Sequence, residues 1–430
     1  MLSHSINLYK TLQKRYSRKI NLDLRRVQKA LTLLNFPQLE LNQPINILGS
    51  DGKMSTLTSL LFFLKAHRDK NFFVIEADKK RVCAFTSPHL YDFRHRFWLK
   101  NRYITIKEIK KYTKLIESRG LRLTLFELLT CVYILAAKDQ KKIHYNLVEA
   151  GLLFKKDSTN LWSEPRAQIV TNINFQHQDW VYPRTLAEIC KQKLCSLSQN
   201  TTIYIAKQRP KTLRIIKSIL KKNKSKKIYS SQFTVKRVKN FYFYKDKKNI
   251  IPIKSKTINS VGLINNLALS IKIALDFGVA RQTIIRTIPK IKFEGRVEYV
   301  KRGKLKKFLK LNEKLLIDGC HSVASAENLY KYLKTLKEPI YGIWGMQKNK
   351  LPELFIKSFK KIFKKVITVT IPNEPNALKA EKLKKISQKY MLTDTAPNIQ
   401  TALKKISSKE KKTIVIFGSL YLVGKTLSEN

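Results

Sequence analysis

Ile45-Asn46-Ile47-Leu48-Gly49-Ser50-Asp51-Gly52-Lys53-Met54-Ser55-Thr56 is the stretch that decides the fold. An apolar run, a glycine-bearing turn, a lysine and a hydroxyl residue lead into a further apolar segment, which predicts a strand, a phosphate-binding turn and a helix. Such a turn aims backbone N–H groups at phosphate oxygens, sets the anion at a helix N-terminus and adds Lys53 as a point charge. Glycine is expected at Gly49 and Gly52 because backbone this close to a phosphate often takes positive φ. The pattern is shorter than a full Walker loop, and a strand–turn–helix crossing with a chance Gly-Lys-x-Ser is the alternative reading, so the wider context has to decide.

Working outward, strand-like and helix-like segments alternate in two blocks, the pattern of layered α/β domains with largely parallel sheets. The first block predicts strands at Ile45–Leu48, Val82–Thr86, Tyr145–Glu149, Ile169–Ile173 and Thr202–Ala206. Its helices are predicted at Ser55–His67, Thr124–Lys138, Thr185–Leu194, Lys211–Lys222, Leu263–Asp276 and Arg281–Ile288. The lysine- and aromatic-rich Ser230–Lys256 suits a small appended antiparallel sheet. After a hinge-like Lys292–Gly295, the second block alternates through Leu315–Asp318, Ala324–Leu336, Ile340–Trp344, Pro352–Phe363, Val366–Ile371, Leu378–Tyr390, Thr401–Ile406 and Thr413–Gly418. Domains at 1–294 and 295–430 are expected, the second one smaller and Rossmann-like.

A chain of 430 residues exceeds what one core usually supports, and its 43% hydrophobic content is that of a globular protein. The longest apolar run, Leu123–Ala137, carries Glu127 and reads as a buried helix rather than a membrane span, and the N-terminus lacks a secretory apolar stretch; a cytoplasmic protein is expected. Cys83, Cys131, Cys190, Cys195 and Cys320 form no CxxC pair, and reduced thiols, mostly buried, are expected. The net charge of +56 raises a nucleic-acid hypothesis. Its lysines recur along the whole chain, in Lys221–Lys227, Lys357–Lys365 and Lys404–Lys412 for example, and Phe355–Phe363 predicts a helix with lysines on its solvent face. Solvated lysine faces are therefore the preferred reading, and no dedicated nucleic-acid surface is expected.

The loop GSDGKMS at Gly49–Ser55 resembles GTNGKGS of the folylpolyglutamate/dihydrofolate synthases in the Mur ligase superfamily. Other segments resemble that family's motifs in the same order. Ile20–Leu24, Leu33–Pro37 and Pro44 resemble the entry to the nucleotide loop, and Thr86–Leu90 with Phe93 and Arg96 resembles TSPHLxxFxER. Phe126-Glu127 resembles FFEFLTA; Glu149–Leu152 with Asp157–Asn160 resembles EVGLGGRLDATN; Thr171–Ile173 with His177 and Trp180 resembles TNIGLDHTEWLG. Later come Gly295–Glu298, Asp318–His321, Gly345–Lys348 and Gly418–Gly424.

The resemblance implies a P-loop Mur-ligase-like ATP-binding domain and a smaller C-terminal domain. It further implies an amide ligase that phosphorylates a carboxylate with ATP and lets the glutamate amine attack the acyl phosphate. Gly49, Asp51, Gly52, Lys53 and Ser55 would hold ATP, with Asn266 at the adenine and Arg296, Asp318 and His321 reaching the nucleotide from the second domain. Ser87, Glu149 and His177 would ligate Mg2+, and a monovalent cation such as K+ is compatible. Lys53, His177 and Lys193 would be catalytic, Lys193 as a carbamylated lysine or else an ordinary helix lysine. Asn266 has a capping role as its alternative, and Asp157 and Thr159 would contact the pterin. Dihydropteroate or reduced folate and L-glutamate are the implied partners, and a monomer is expected.

The chain departs from the motifs at several places. Met54 stands for a glycine, Leu153-Phe154 for two glycines, Lys155 for arginine, Asn174 for glycine and Gln176 for the aspartate before His177. Leu194-Cys195 replace Ala-Gly, Gly262-Leu263 replace His-Gln, Ser322-Val323 replace Asn-Pro, and Asn349 replaces an aspartate. Losing the aspartate at 176 removes a group that could orient the histidine. Retention of Lys53, Ser87, Glu149, His177, Asp318 and His321 favours an active ligase. The charge and the lost glycines favour the alternative, a degenerate ligase fold that binds an anionic partner such as RNA without turnover.

Overall fold

The structure is a computed structural model that describes residues 2–17, 21–68, 80–239 and 241–430. It divides into two compact units: Met1–Ser255 with Asn265–Ile291, and Lys256–Ile264 with Lys292–Asn430. A single cut at 294/295 therefore misplaces Lys256–Ile264, which groups with the second unit.

The first unit opens with α1 (Leu2–Arg15) and α2 (Leu24–Leu33), neither assigned from periodicity, and then β1 (Pro44–Leu48) and α3 (Lys53–Lys65). Of the entry motif, Asp23 N-caps α2 by accepting from the Arg25 N–H, while Ile20 lies outside the described residues. Next come β2 (Val82–Phe85), β3 (Phe97–Leu99), β4 (Arg102–Tyr103), α4 (Ile106–Glu117), α5 (Leu125–Lys138), β5 (Tyr145–Glu149) and β6 (Ala167–Val170). The chain continues through α6 (Leu186–Leu194), β7 (Thr202–Ile205), α7 (Pro210–Ile219) and β8 (Lys226–Tyr229). These strands make one sheet in the order β4-β3-β2-β5-β1-β6-β7-β8, parallel from β2 to β8, with β3 and β4 forming an antiparallel edge. All five residues of β1 and of β5 are buried, as expected of central parallel strands covered on both faces. One core packs α2, α4 and α5 around Phe85, Leu128 and Tyr133; another packs α6 and α7 around Leu48, Val170 and Ile189.

The stretch at Ser230–Lys256 forms a separate antiparallel sheet of β9 (Phe233–Val238), β10 (Phe241–Asp246) and β11 (Ile250–Ile253), in the order β11-β10-β9. Helices α8 (Val261–Asp276) and α9 (Arg281–Thr287) follow.

The second unit contains β12 (Glu298–Tyr299), β13 (Glu313–Asp318), α10 (Val323–Leu333), β14 (Ile340–Trp344), α11 (Pro352–Lys357), β15 (Phe363–Thr368), α12 (Ala380–Ser387), β16 (Thr393–Thr395), α13 (Ile399–Ile406), β17 (Lys412–Phe417) and α14 (Leu420–Glu429). Its sheet runs β12-β13-β17-β14-β15-β16, parallel apart from β12. An aromatic stack of Trp344, Phe355, Phe359, Phe363 and Phe417 fills the core, with neighbouring ring centroids 4.9–6.3 Å apart. The helix expected over Pro352–Phe363 is corrected: α11 ends at Lys357 and Phe363 already belongs to β15. Phe355, Ile356, Phe359 and Phe363 are nevertheless buried, because turn and strand point the same apolar groups inward.

Candidate active site

The carboxyl ends of four adjacent parallel strands, β2, β5, β1 and β6, carry in turn Ser87, Glu149, the Gly49–Ser55 turn and the segment leading to His177. Loops leaving this edge of a parallel sheet are where open α/β folds bind ligands. Gly49 has φ +143° and Gly52 φ +94°, so both need the freedom that glycine alone has. A Cβ on Gly49 would lie 2.1 Å from Thr171 Oγ1, and one on Gly52 2.7 Å from Asn266 Nδ2. Met54, by contrast, sits in the first turn of α3 with ordinary helical backbone, so the motif's glycine there is not a conformational need.

Lys53 opens α3 and folds back over the turn, its ammonium 3.5 Å from the Gly49 carbonyl, 3.4 Å from that of Ser50 and 3.9 Å from Glu149 Oε1. Glu149 is only 2% exposed and its Oε2 accepts the Ser87 N–H at 3.2 Å. Ser87 follows β2 and its hydroxyl takes an N–H of Arg96 at 3.4 Å; Arg96 also donates to His89 Nδ1 at 3.0 Å. Arg96 thus holds the serine loop, a role open to sequence reasoning because Arg96 lies within the quoted motif. His177 is half-buried with φ +64°, a left-handed conformation uncommon outside glycine, although histidine takes it more readily than most residues.

Asn266 lies inside α8, not at its start, which removes the capping reading. Its Nδ2 donates to Ser55 Oγ at 2.8 Å, which places it on the phosphate turn. Asp51 was expected among the nucleotide contacts; its carboxylate instead turns to Asn174 and Gln176, at 2.7 and 3.1 Å.

Lys193 projects from α6 into the protein, 1% exposed, and donates to the Gly49 carbonyl at 3.0 Å. Burial first, and then the Lys53 charge, pushes its ammonium down to about 7. Asp157 and Thr159 were expected as pterin contacts. Both are buried, and the Asp157 carboxylate accepts from the Leu152 N–H, the Thr159 N–H and the Thr159 hydroxyl, which shapes the loop after β5.

In the second unit Asp318 ends β13, and its two oxygens accept the Val297 and Cys320 N–H groups at 2.9 and 2.8 Å. Burial raises its pKa, with the neighbouring Arg296 pulling the other way. His321 Nδ1 lies 3.0 Å from the Gly319 carbonyl. Of the five cysteines, all free, only Cys195 is exposed.

Among the described residues no three His, Cys, Asp or Glu side chains cluster as a metal cage. Glu149, a buried carboxylate that accepts the Ser87 backbone N–H, suits magnesium, which takes one or two protein oxygens and fills its shell with water and phosphate oxygens. The donor set fits a phosphate-bound Mg2+, and His177 would be its less usual ligand.

Residues 301–429 match the family model for the C-terminal domain of dihydrofolate synthetase. The dihydrofolate synthetase of Saccharomyces cerevisiae is 23% identical over 437 residues, covering 95% of this chain and 97% of that protein. The folylpolyglutamate synthase of Mycobacterium tuberculosis complexed with ADP superposes with a TM-score of 0.84 at 19% identity, over 99% of this chain and 98% of that one. The bifunctional folylpolyglutamate synthase/dihydrofolate synthase from Yersinia pestis, complexed with AMPPNP and a Mn ion, gives 0.82 at 17% identity over 98% and 97%. Residues 301–429 are thus similar to the C-terminal domain of dihydrofolate synthetase, and the chain over nearly its whole length is similar in sequence to a dihydrofolate synthetase and in fold to folylpolyglutamate synthases.

Proposed function

We propose that this protein is an ATP-dependent ligase that joins L-glutamate to a pterin-linked carboxylate, that of dihydropteroate or of a reduced folate. The observation that carries the reading is Lys53 lying over an intact phosphate turn and within 3.9 Å of Glu149, with Ser87 tied to the same carboxylate.

A carboxylate oxygen of the acceptor attacks the γ-phosphorus of ATP and ADP leaves; the neutral glutamate amine then attacks the acyl phosphate, expels phosphate and loses a proton. Charge neutralisation and placement are the main demands of such a transfer. Lys53 supplies a cation at the turn, and Gly49 and Gly52 let the backbone come close. Glu149 and Ser87, with His177, would hold magnesium, which when bound would draw charge off the phosphates. Lys193, its ammonium pushed down to about 7 by burial, is about half neutral at pH 7, and in that form its amine is able to add carbon dioxide, with loss of a proton, and become a carbamate beside the turn. Arg296, Asp318 and His321 are the residues of the second unit that would contact the nucleotide.

Purified protein given ATP, magnesium, glutamate and, in parallel, dihydropteroate or tetrahydrofolate should release phosphate only when all components are present. Lys53→Ala and Glu149→Ala should each lower turnover at least a hundredfold with the melting temperature little changed, and chelation by EDTA should abolish it reversibly. Absence of turnover with both acceptors, alongside RNA binding that weakens steeply with salt, would return the anion-binding alternative.

A further inference from the structure

The phosphate turn and the histidine segment are stitched together through Asp51. On the backbone side, the N–H groups of Ser50 and Asp51 both donate to the Asn172 carbonyl, at 2.8 and 3.1 Å. Ser50 Oγ accepts the Asn174 N–H at 3.2 Å. On the side-chain side, one oxygen of Asp51 accepts from the carboxamides of Asn174 and Gln176. All three side chains are departures from the relatives' motifs quoted above. There the turn carries asparagine where this chain has Asp51, and the histidine segment carries aspartate where this chain has Gln176. One carboxylate and one carboxamide survive at this contact, with their ends exchanged.

Chemistry explains why the two changes belong together. A carboxylate accepts charge-assisted bonds from amide N–H groups, whichever side supplies which. Two carboxylates about 3 Å apart repel, and only one ionises easily. We propose that Asp51 is a positioning residue, which takes over the task of the missing aspartate at 176 by holding Asn174 and Gln176, and with them the backbone that presents His177, against the phosphate turn. Asn174, where relatives have glycine, adds a second donor to the same oxygen.

The proposal rests on the site described above, and its test separates the two. Asp51→Asn, Gln176→Asp and the double variant are compared with the parent in full-length protein, for kcat, for KM of ATP, and for amide hydrogen exchange across residues 172–178 without substrate. Gln176→Asp should lower kcat by about ten- to a hundredfold, as loss of an outer support of a metal ligand does, and speed exchange of the segment. Asp51→Asn should lower kcat and speed exchange in the parent, yet restore both in the Gln176→Asp background, to within about threefold of the parent. If Asp51→Asn is harmful in both backgrounds, or if exchange is indifferent to all three variants, the exchanged-pair assignment falls. The exchange arm needs no turnover, so an inactive parent would overturn the ligase reading while still deciding this one.

Discussion

Leu153 shows how a lost glycine was absorbed. It keeps a left-handed backbone, φ +59°, at a position where the relatives' motif has glycine, and its side chain is 3% exposed in the core with Phe154 and Ile189. The strain is worth roughly 1–2 kcal/mol, against roughly 2–5 kcal/mol for removing a buried leucine side chain. Packing wins, so Leu153→Gly should destabilise the first unit by about 1–3 kcal/mol in urea denaturation; a gain in stability would mean that strain dominates. Lys193 makes a pH prediction. Its folded value of about 7 lies below the ordinary 10.5, so between those values the unfolded chain binds the extra proton. Its contribution to stability is therefore full above about pH 10.5 and is lost as pH falls through about 7. Comparing Lys193→Met with the parent from pH 6 to 9 should show the parent gaining stability with rising pH relative to the variant, and parallel curves would refute the buried amine. Gly49 and Gly52 were legible because a phosphate turn dictates their backbone. The directions of Asp51 and Asp157 were not, since residue type and spacing say nothing about which neighbour a carboxylate turns to.

At the level of elements, α5 is started and anchored by one residue. Thr124 and Glu127 form a capping box, and Glu127, 3% exposed, also takes the Arg26 guanidinium of α2 at 2.6 Å. Glu127→Ala removes the carboxylate half of the capping box and the ion pair, leaving Arg26 with the Asn21 carbonyl and Asp23, and should cost about 2 kcal/mol, more than Thr124→Ala at about 1 kcal/mol; equal losses in chemical denaturation would leave the ion pair without weight. The central strands and their flanking helices were legible because they are continuous apolar runs bounded by turn residues. Strands β3, β4, β8, β12 and β16 were not. Two or three residues carry no periodic signal, β8 opens on Lys226-Lys227 inside a lysine run, and the place of each is set by the sheet that it extends. The premature end of α11 escaped notice for a related reason: inward-facing groups at 355, 356, 359 and 363 fit one long helix as well as a short helix, a turn and a strand.

Across the whole molecule the net charge of +56 works against compactness. Most of the lysines in the three runs named above are exposed. Raising sodium chloride from 0.01 to 0.1 M shortens the screening length from about 30 to about 10 Å, so the melting temperature should climb by a few degrees over that range. A flat or falling trend would show that repulsion is already neutralised within the fold. The second unit adds a constraint of another kind. Its final strand, β17, lies between β13 and β14, with Glu313 paired opposite Lys412 and that lysine 2% exposed. A ribosome must therefore release Lys412–Phe417 before the middle of that sheet can exist, and until then the inner edges of β13 and β14 wait unjoined, so nascent chains stalled ahead of residue 412 should bind chaperones and yield to protease where chains stalled well past it resist.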